Sequence, residues 1–363
     1  YSRISESELG YAVLNHQFQL RCTLTFVRNS IPINAMTRLG YQIPSFTYPG
    51  VDAADLFDVV ARQAREADTS GFDTVLVMDH FYQLPQIGKP EEFMLECYAL
   101  LSALARETKN VLLSSLVTGN TYRNPAVLAK TVTTLDVVSG GRAMLGIGAG
   151  WYEQEHAAFG IEFGTFTDRF EKLEEALQIV GPMLRGEKAT LAGKWYNAVD
   201  AMNEPAPVSK VPIMIGGAGE KKTLRMVAQY ADESNLICDD ADVAHKLEVL
   251  AQHCEAIGRD RSEIIVSKQK NCCIAPTHEE ARADMLAFLG RRGLDVASMS
   301  EDDLAPWLGL VTWGDPDEVG EHFASLLAAN PGLDGFTINM IPNGFIEGRV
   351  QLLGETLSPI INA

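Results

Sequence analysis

Three motifs of the 363-residue sequence, the last split between two segments, place reactive or ligand-holding residue types at the end of an apolar run. The first is TVLVMDH, in which Asp79 and His80 follow Met78. A carboxylate beside an imidazole can polarise a carbonyl or pass a proton near neutral pH, although a helix-capping Asp with an incidental His would read the same way. The second is SSLVTGNTYRNPA. Ser115, Thr118, Asn120, Tyr122 and Arg123 suit a polar heteroaromatic ligand that needs many neutral hydrogen bonds, whereas Asn124 before Pro125 reads as the cap of the next helix. The third pairs GIGAGW with IGGAGEKK. Gly146, Gly148 and Gly150 strip side chains from a strand end and let a flat ring approach. Gly216, Gly217, Ala218 and Gly219 form a loop whose amides lead into a helix start, an anion site reinforced by Lys221, Lys222 and Arg225; a plain strand-to-helix turn is the structural alternative. The spacing is not GxGxxG, and the unit lies mid-chain, so a dinucleotide fold is rejected.

The elements that position these residues alternate between short apolar strands and amphipathic helices. Strand runs start at Arg38, Phe72, Asn110, Arg142, Val211, Glu233, Ile264 and Asp334. Eight strand-helix units predict a closed (β/α)8 barrel, whose active site lies at the strands' carboxyl ends. Two insertions are expected. One after the fourth helix (EKATLAGKWYNAVDAMNEPAPVSK) reads as a hairpin plus loop; one after the seventh (GRRGLDVASMSEDDLAPWLGLVTWGDPD) is long enough to cross the barrel mouth. Tyr1 to Ala35 differs in texture and is expected to be a leader or upstream extension, with one barrel domain over 36–363.

Asp plus Glu number 48 against 30 Lys plus Arg, a net charge of −18. That sign argues against nucleic-acid or membrane-surface partners. No apolar run reaches the ~18 to 20 residues of a membrane span. The six cysteines, Cys22, Cys97, Cys238, Cys254, Cys272 and Cys273, show no zinc-like spacing, so no metal is expected and reduced thiols in the cytoplasm are. Adjacent Cys272 and Cys273 read as small core residues. Trp195, Tyr196 and Trp313 read as packing for the insertions, and His156, His245, His253, His278 and His322 show no partner pattern.

Together, RLGYQIPSFTYPG, GFDTVLVMDHF, TKNVLLSSLVTGNTYRNPAVLAKTVTTLDVVSGGRAMLGIGAGWYEQE and VPIMIGGAGEKKTLRMVAQYAD resemble the luciferase-like monooxygenase superfamily, over roughly Met36 to Ile346. Within it they are similar to the branch using the deazaflavin coenzyme F420. The resemblance implies a single TIM barrel binding deazaflavin or flavin at the strand ends. By position, Asp79 would contact the ring and His80 would stand near the carbon exchanging hydride. A cis peptide at Ser115 and Leu116 would back the ring, Thr118, Gly148, Ala149 and Gly150 would line it, and Gly216 to Gly219 would take the phosphate. Trp151 stands where the family's sugar-phosphate dehydrogenases have an acid, and Leu84 where they have a tryptophan, which disfavours glucose 6-phosphate and favours a less polar substrate. The expected activity is hydride transfer between F420 and a small organic molecule. The alternatives are an FMN-dependent monooxygenase and a non-catalytic flavin-binding subunit. A homodimer, and a reductase supplying reduced flavin or F420, are the implied partners.

Overall fold

A computed structural model describes residues 38–362; the expected leader, Tyr1–Ala35, lies outside them, as does Cys22. Each of the eight apolar runs forms a strand: β1 (Leu39–Ile43), β2 (Thr74–Val77), β3 (Leu112–Ser115), β4 (Leu145–Gly148), β5 (Ile213–Gly216), β6 (Glu233–Leu236), β7 (Ile265–Ile274) and β8 (Gly335–Asn339). They lie in the order β3-β2-β1-β8-β7-β6-β5-β4. All these neighbours are parallel. A parallel bridge from Leu113 to Ala143 brings the sheet's two ends together, giving a nearly closed barrel of the expected (β/α)8 class.

Runs such as TVLV and LGYQI are buried at every position because helices cover the outside and side chains fill the inside. Within the barrel the Asn235 amide donates to Ser267 and Thr337, each at 2.9 Å. Helix boundaries follow local chemistry. Asn124 caps the helix Pro125–Ser139 by accepting from the Ala126 and Val127 amides, Pro125 occupies its first turn, and Gly140 ends it in a left-handed conformation. Thr165 and Asp168 form a reciprocal cap that starts the helix Phe166–Leu184.

The first insertion contains the antiparallel hairpin Ala189–Ala192 with Asn197–Ala201. The second adds a short strand beside β7. Strand β7 is ten residues long and overshoots the barrel, so its Cys272–Ile274 end pairs with Thr312–Gly314 of the insertion. The insertion helix Glu301–Leu308 packs Leu304 and Leu308 against Cys273, Met285 and Leu289 in a satellite cluster beside β7. Cys272 belongs to the main core and Cys273 to that cluster, as strand alternation requires.

Candidate active site

The carboxyl ends of the strands surround a cavity of about 720 Å³. Asp79, His80, Leu116, Thr118, Gly148, Ala149, Gly150, Gly216 and Gly217 line it, whereas Ser115, Ala218 and Gly219 do not. Ser115 is fully buried behind the wall. Its hydroxyl donates to the Gly146 carbonyl at 2.8 Å and meets the Thr118 hydroxyl at 2.7 Å, which in turn meets the Tyr98 hydroxyl at 2.6 Å. These bonds brace the turn that leaves β3.

The cis peptide joins Leu116 to Val117, one bond beyond the expected position. The reason is that the Leu116 amide still donates to the Val77 carbonyl, so the chain leaves the β2 ladder only after Leu116. The strand-end glycines serve that turn as well as the cavity. A Cβ on Gly146 would lie 2.0 Å from the Ser115 carbonyl oxygen, and Cβ atoms on Gly148 and Gly216 would lie 2.9 Å from Val117 methyl groups. Bare backbone at Gly148, Gly150 and Gly216 therefore faces the cavity next to the cis-linked pair, a cradle with room for a flat ring and none for added side chains.

His80 is held by a residue that the sequence reading missed. Glu155, on the short helix Glu153–Phe159, is fully buried and sits 2.9 Å from His80 Nδ1. Its other oxygen accepts from the Phe81 and Tyr82 amides at 2.6 and 2.8 Å, while the Tyr122 hydroxyl donates at 2.5 Å to the same oxygen that faces His80. Burial alone would raise the pKa of Glu155, but the bonds from His80, Tyr122 and Tyr82 hold it below the ordinary carboxylate value. A carboxylate only accepts, so His80 donates through Nδ1–H and Nε2 is left for other work. Trp151 and Tyr152 pack their rings against His80 at 5.7 and 5.9 Å.

Asp79 is also committed. Its oxygens accept from Arg123 at 2.6 and 3.0 Å, and Arg123 reaches on to Glu96 at 2.5 Å. Burial raises the Asp79 pKa, and the guanidinium opposes that shift. Most of the polar rim after β3 thus works within the protein: Asn120 donates to the Ala149 and Arg169 carbonyls, Tyr122 to Glu155, and Asn124 caps a helix.

The expected basic cluster divides. Arg225 is paired with Glu174 at 2.9 Å, Lys222 lies over the rings of Phe166 and Phe170, and Lys221 is exposed. The cation that does line the glycine side of the cavity is Arg169, bonded to the Gly150 and Gly164 carbonyls at 3.0 Å each and stacked on Phe163. The loop itself suits an anion: Gly217 has φ +119°, and the chain turns from Gly219 into the helix Thr223–Tyr230, whose Thr223 reaches the cavity wall. His156 has partners after all, the Thr121 hydroxyl at 2.7 Å and the Tyr152 carbonyl at 2.8 Å, which make it a satisfied core residue.

Fold and site define a parallel (β/α)8 barrel with a ligand cavity at its carboxyl face and a carboxylate-oriented imidazole on its rim. The luciferase-like monooxygenase family model matches residues 37–334, and the chain belongs to that family. It is 31% identical over 197 residues to an F420-dependent glucose-6-phosphate dehydrogenase of Amycolatopsis mediterranei, covering 54% of this chain and 55% of the relative. It is 29% identical over 249 residues to one of Microbacterium testaceum, covering 67% and 70%. The match to the Amycolatopsis protein thus spans about half that relative's length. Among solved structures, an F420-dependent secondary alcohol dehydrogenase in complex with an F420-acetone adduct superposes with a TM-score of 0.69 at 19% identity, over 90% of this chain and 99% of that one. The oxygenating constituent of 3,6-diketocamphane monooxygenase from Pseudomonas putida, in complex with FMN, does so at 0.68 and 20%, over 89% and 99%.

Proposed function

We propose that this chain is an oxidoreductase that binds coenzyme F420 and passes a hydride between it and a small organic substrate. The observation that carries this reading is the juxtaposition, on one cavity, of the Glu155-held His80 and the side-chain-free edges of Gly148, Gly150 and Gly216. When bound, a deazaflavin supplies a carbon that gives or takes hydride and favours two-electron steps over reaction with oxygen.

The chain's residues would divide the remaining work. Leu116, Val117, Gly148, Ala149 and Gly150 would hold the ring system, with Ser115 and Thr118 fixing the turn behind it. Gly216, Gly217, Ala218 and Gly219, with Thr223 and Arg169, would take the phosphate. Asp79, tied to Arg123, would set the edge of the ring site. His80 would give or accept a proton at Nε2 as the substrate's oxidation state changes. Trp151, Leu84 and Ile87 present apolar surface at the same cavity, which supports a substrate less polar than a sugar phosphate. The reading also carries a cytoplasmic homodimer; the five cysteines among the described residues are free thiols.

The fold serves FMN monooxygenases equally, which makes an FMN enzyme fed by a partner reductase the alternative. Titration of the purified protein with F420 and with FMN, followed by cofactor fluorescence, separates the two. Saturable binding of F420 in preference to FMN is expected. Tight FMN binding without F420 binding transfers the assignment to the alternative. F420 binding without turnover of any substrate would favour a non-catalytic subunit.

A further inference from the structure

The half of the cavity opposite the glycine edges is built differently. Gln42 on β1, Asn339 on β8 and Asn271 on β7 stand at one level of the barrel, because Gln42 pairs in register with Asn339, and Asn339 with Asn271. All three line the cavity, as does Gln269. Parallel neighbours in register share a face, so the pairing gathers three carboxamides into one row. Gln42 is fixed: its amide donates to the Leu116 carbonyl at 3.0 Å, and its oxygen accepts from Gln269 at 3.1 Å. Asn339 is 4% exposed, and its side-chain oxygen has no hydrogen-bond partner among the described residues. A buried carboxamide left unpaired costs free energy that a ligand's hydrogen bond can recover.

Charge on this side is already spoken for. Lys270, the charged side chain lining the cavity at β7, is bonded to Asp240 at 2.7 Å; the buried Lys268 shares that same carboxylate at 3.2 Å. Arg169 lies with Gly150 on the glycine side. Ile237 and Ile341 border the row with apolar surface.

Building on the assignment of the glycine side to the cofactor, we infer that the carboxamide row is the substrate subsite and that it reads an uncharged molecule bearing a carbonyl or amide group. Carboxamides offer both a donor and an acceptor, match ketone, lactam or imide groups, and carry no charge to offset the desolvation of a phosphate or carboxylate. Substrate discrimination at such a site comes from buried polar groups that the wrong ligand leaves unpaired.

The test uses the purified protein with bound F420 and reads both cofactor fluorescence and melting temperature. The uncharged probes are cyclohex-2-en-1-one and glutarimide, and the charged ones are glucose 6-phosphate and cyclohexanecarboxylate. The uncharged probes should give saturable responses and the charged ones none. Asn339→Leu should weaken the uncharged probes about tenfold, the equivalent of one hydrogen bond, at unchanged F420 affinity. If Asn339→Leu loses F420 binding through misfolding, the half-buried Asn271→Leu supplies the same comparison. Saturable binding of glucose 6-phosphate, silence of both uncharged probes, or full affinity in the variant that retains F420 overturns the inference. Failure of the wild-type protein to bind F420 at all strikes instead at the cofactor assignment beneath it.

Discussion

The two sides of the cavity hold polar groups in opposite ways. At the ends of β2 and β4, the ionisable groups are closed into pairs: Asp79 with Arg123, His80 with Glu155. At the ends of β7 and β8 the cavity is lined by carboxamides beside Lys270, whose charge Asp240 already engages, and the Asn339 side-chain oxygen has no partner among the described residues. A charge buried without a partner is expensive, so ionisable residues at a cavity are first neutralised and then serve to orient something else. A neutral amide can wait unpaired at smaller cost, which leaves it free for a ligand. The contrast separates machinery from recognition.

The sharpest break in that contrast is His80→Ala. It should reduce turnover by about 100-fold or more while F420 titration stays near the wild-type affinity, since the ring is proposed to move protons and not to hold the cofactor. Turnover close to wild type would remove His80 from the chemistry.

Glu155→Gln should cost less, about tenfold or more in turnover, through a defined route. The Phe81 and Tyr82 amides require an oxygen acceptor, so the new amide nitrogen must face His80 Nδ1. It then donates to that nitrogen, and the ring proton moves to Nε2. Two-bond 1H–15N correlation spectra of histidine-labelled protein would show the exchanged tautomer; an unchanged pattern would count against Glu155 as the positioning residue. The substitution also has a pH signature. The pKa of Glu155 is depressed in the folded state, so its ionisation stabilises the protein above the ordinary glutamate value near 4.3 and that stabilisation is lost as pH falls through the lower folded value. The difference in urea-unfolding free energy between wild type and variant should narrow across that window.

Gly146→Ala tests the framework between the two sides. A Cβ there meets the Ser115 carbonyl, and overpacking of this kind costs about 1 to 3 kcal/mol. A lowered urea midpoint is expected. The smallest effect is expected for Arg225→Ala, below about twofold on F420 affinity, because Glu174 already engages that guanidinium and exposed pairs contribute little. Arg169→Ala, measured in the same titration, should weaken binding more.

The barrel was legible because its strands are continuous apolar runs and its caps are local: Asn124 with Pro125 marks a helix start without knowledge of anything distant. The strand Thr312–Gly314 was not legible, since its pairing depends on how far β7 outruns the barrel. The site was half legible. His80 and the glycines announce themselves by position after a strand, but Glu155 lies 75 residues from His80 on a seven-residue helix. An acid four residues past Trp151 on a helix that also buries His156 was the available signal. The lysines were misleading for a similar reason: sequence proximity suggested a cluster, while Glu174, 51 residues before Arg225, decides where that guanidinium points.

One contact outside the chemistry has a bearing on how such an enzyme diversifies. Arg292, at the root of the second insertion, donates to the carbonyls of Pro85 and Gln86, in the loop whose Leu84, Gln86 and Ile87 form the outer wall of the cavity. The wall is therefore tethered to a segment that carries none of the proton-handling groups. Insertions and substitutions around Arg292 can reshape the entrance while β2 and β4 stay as they are, so substrate range is free to drift under selection without each step having to preserve the reaction anew.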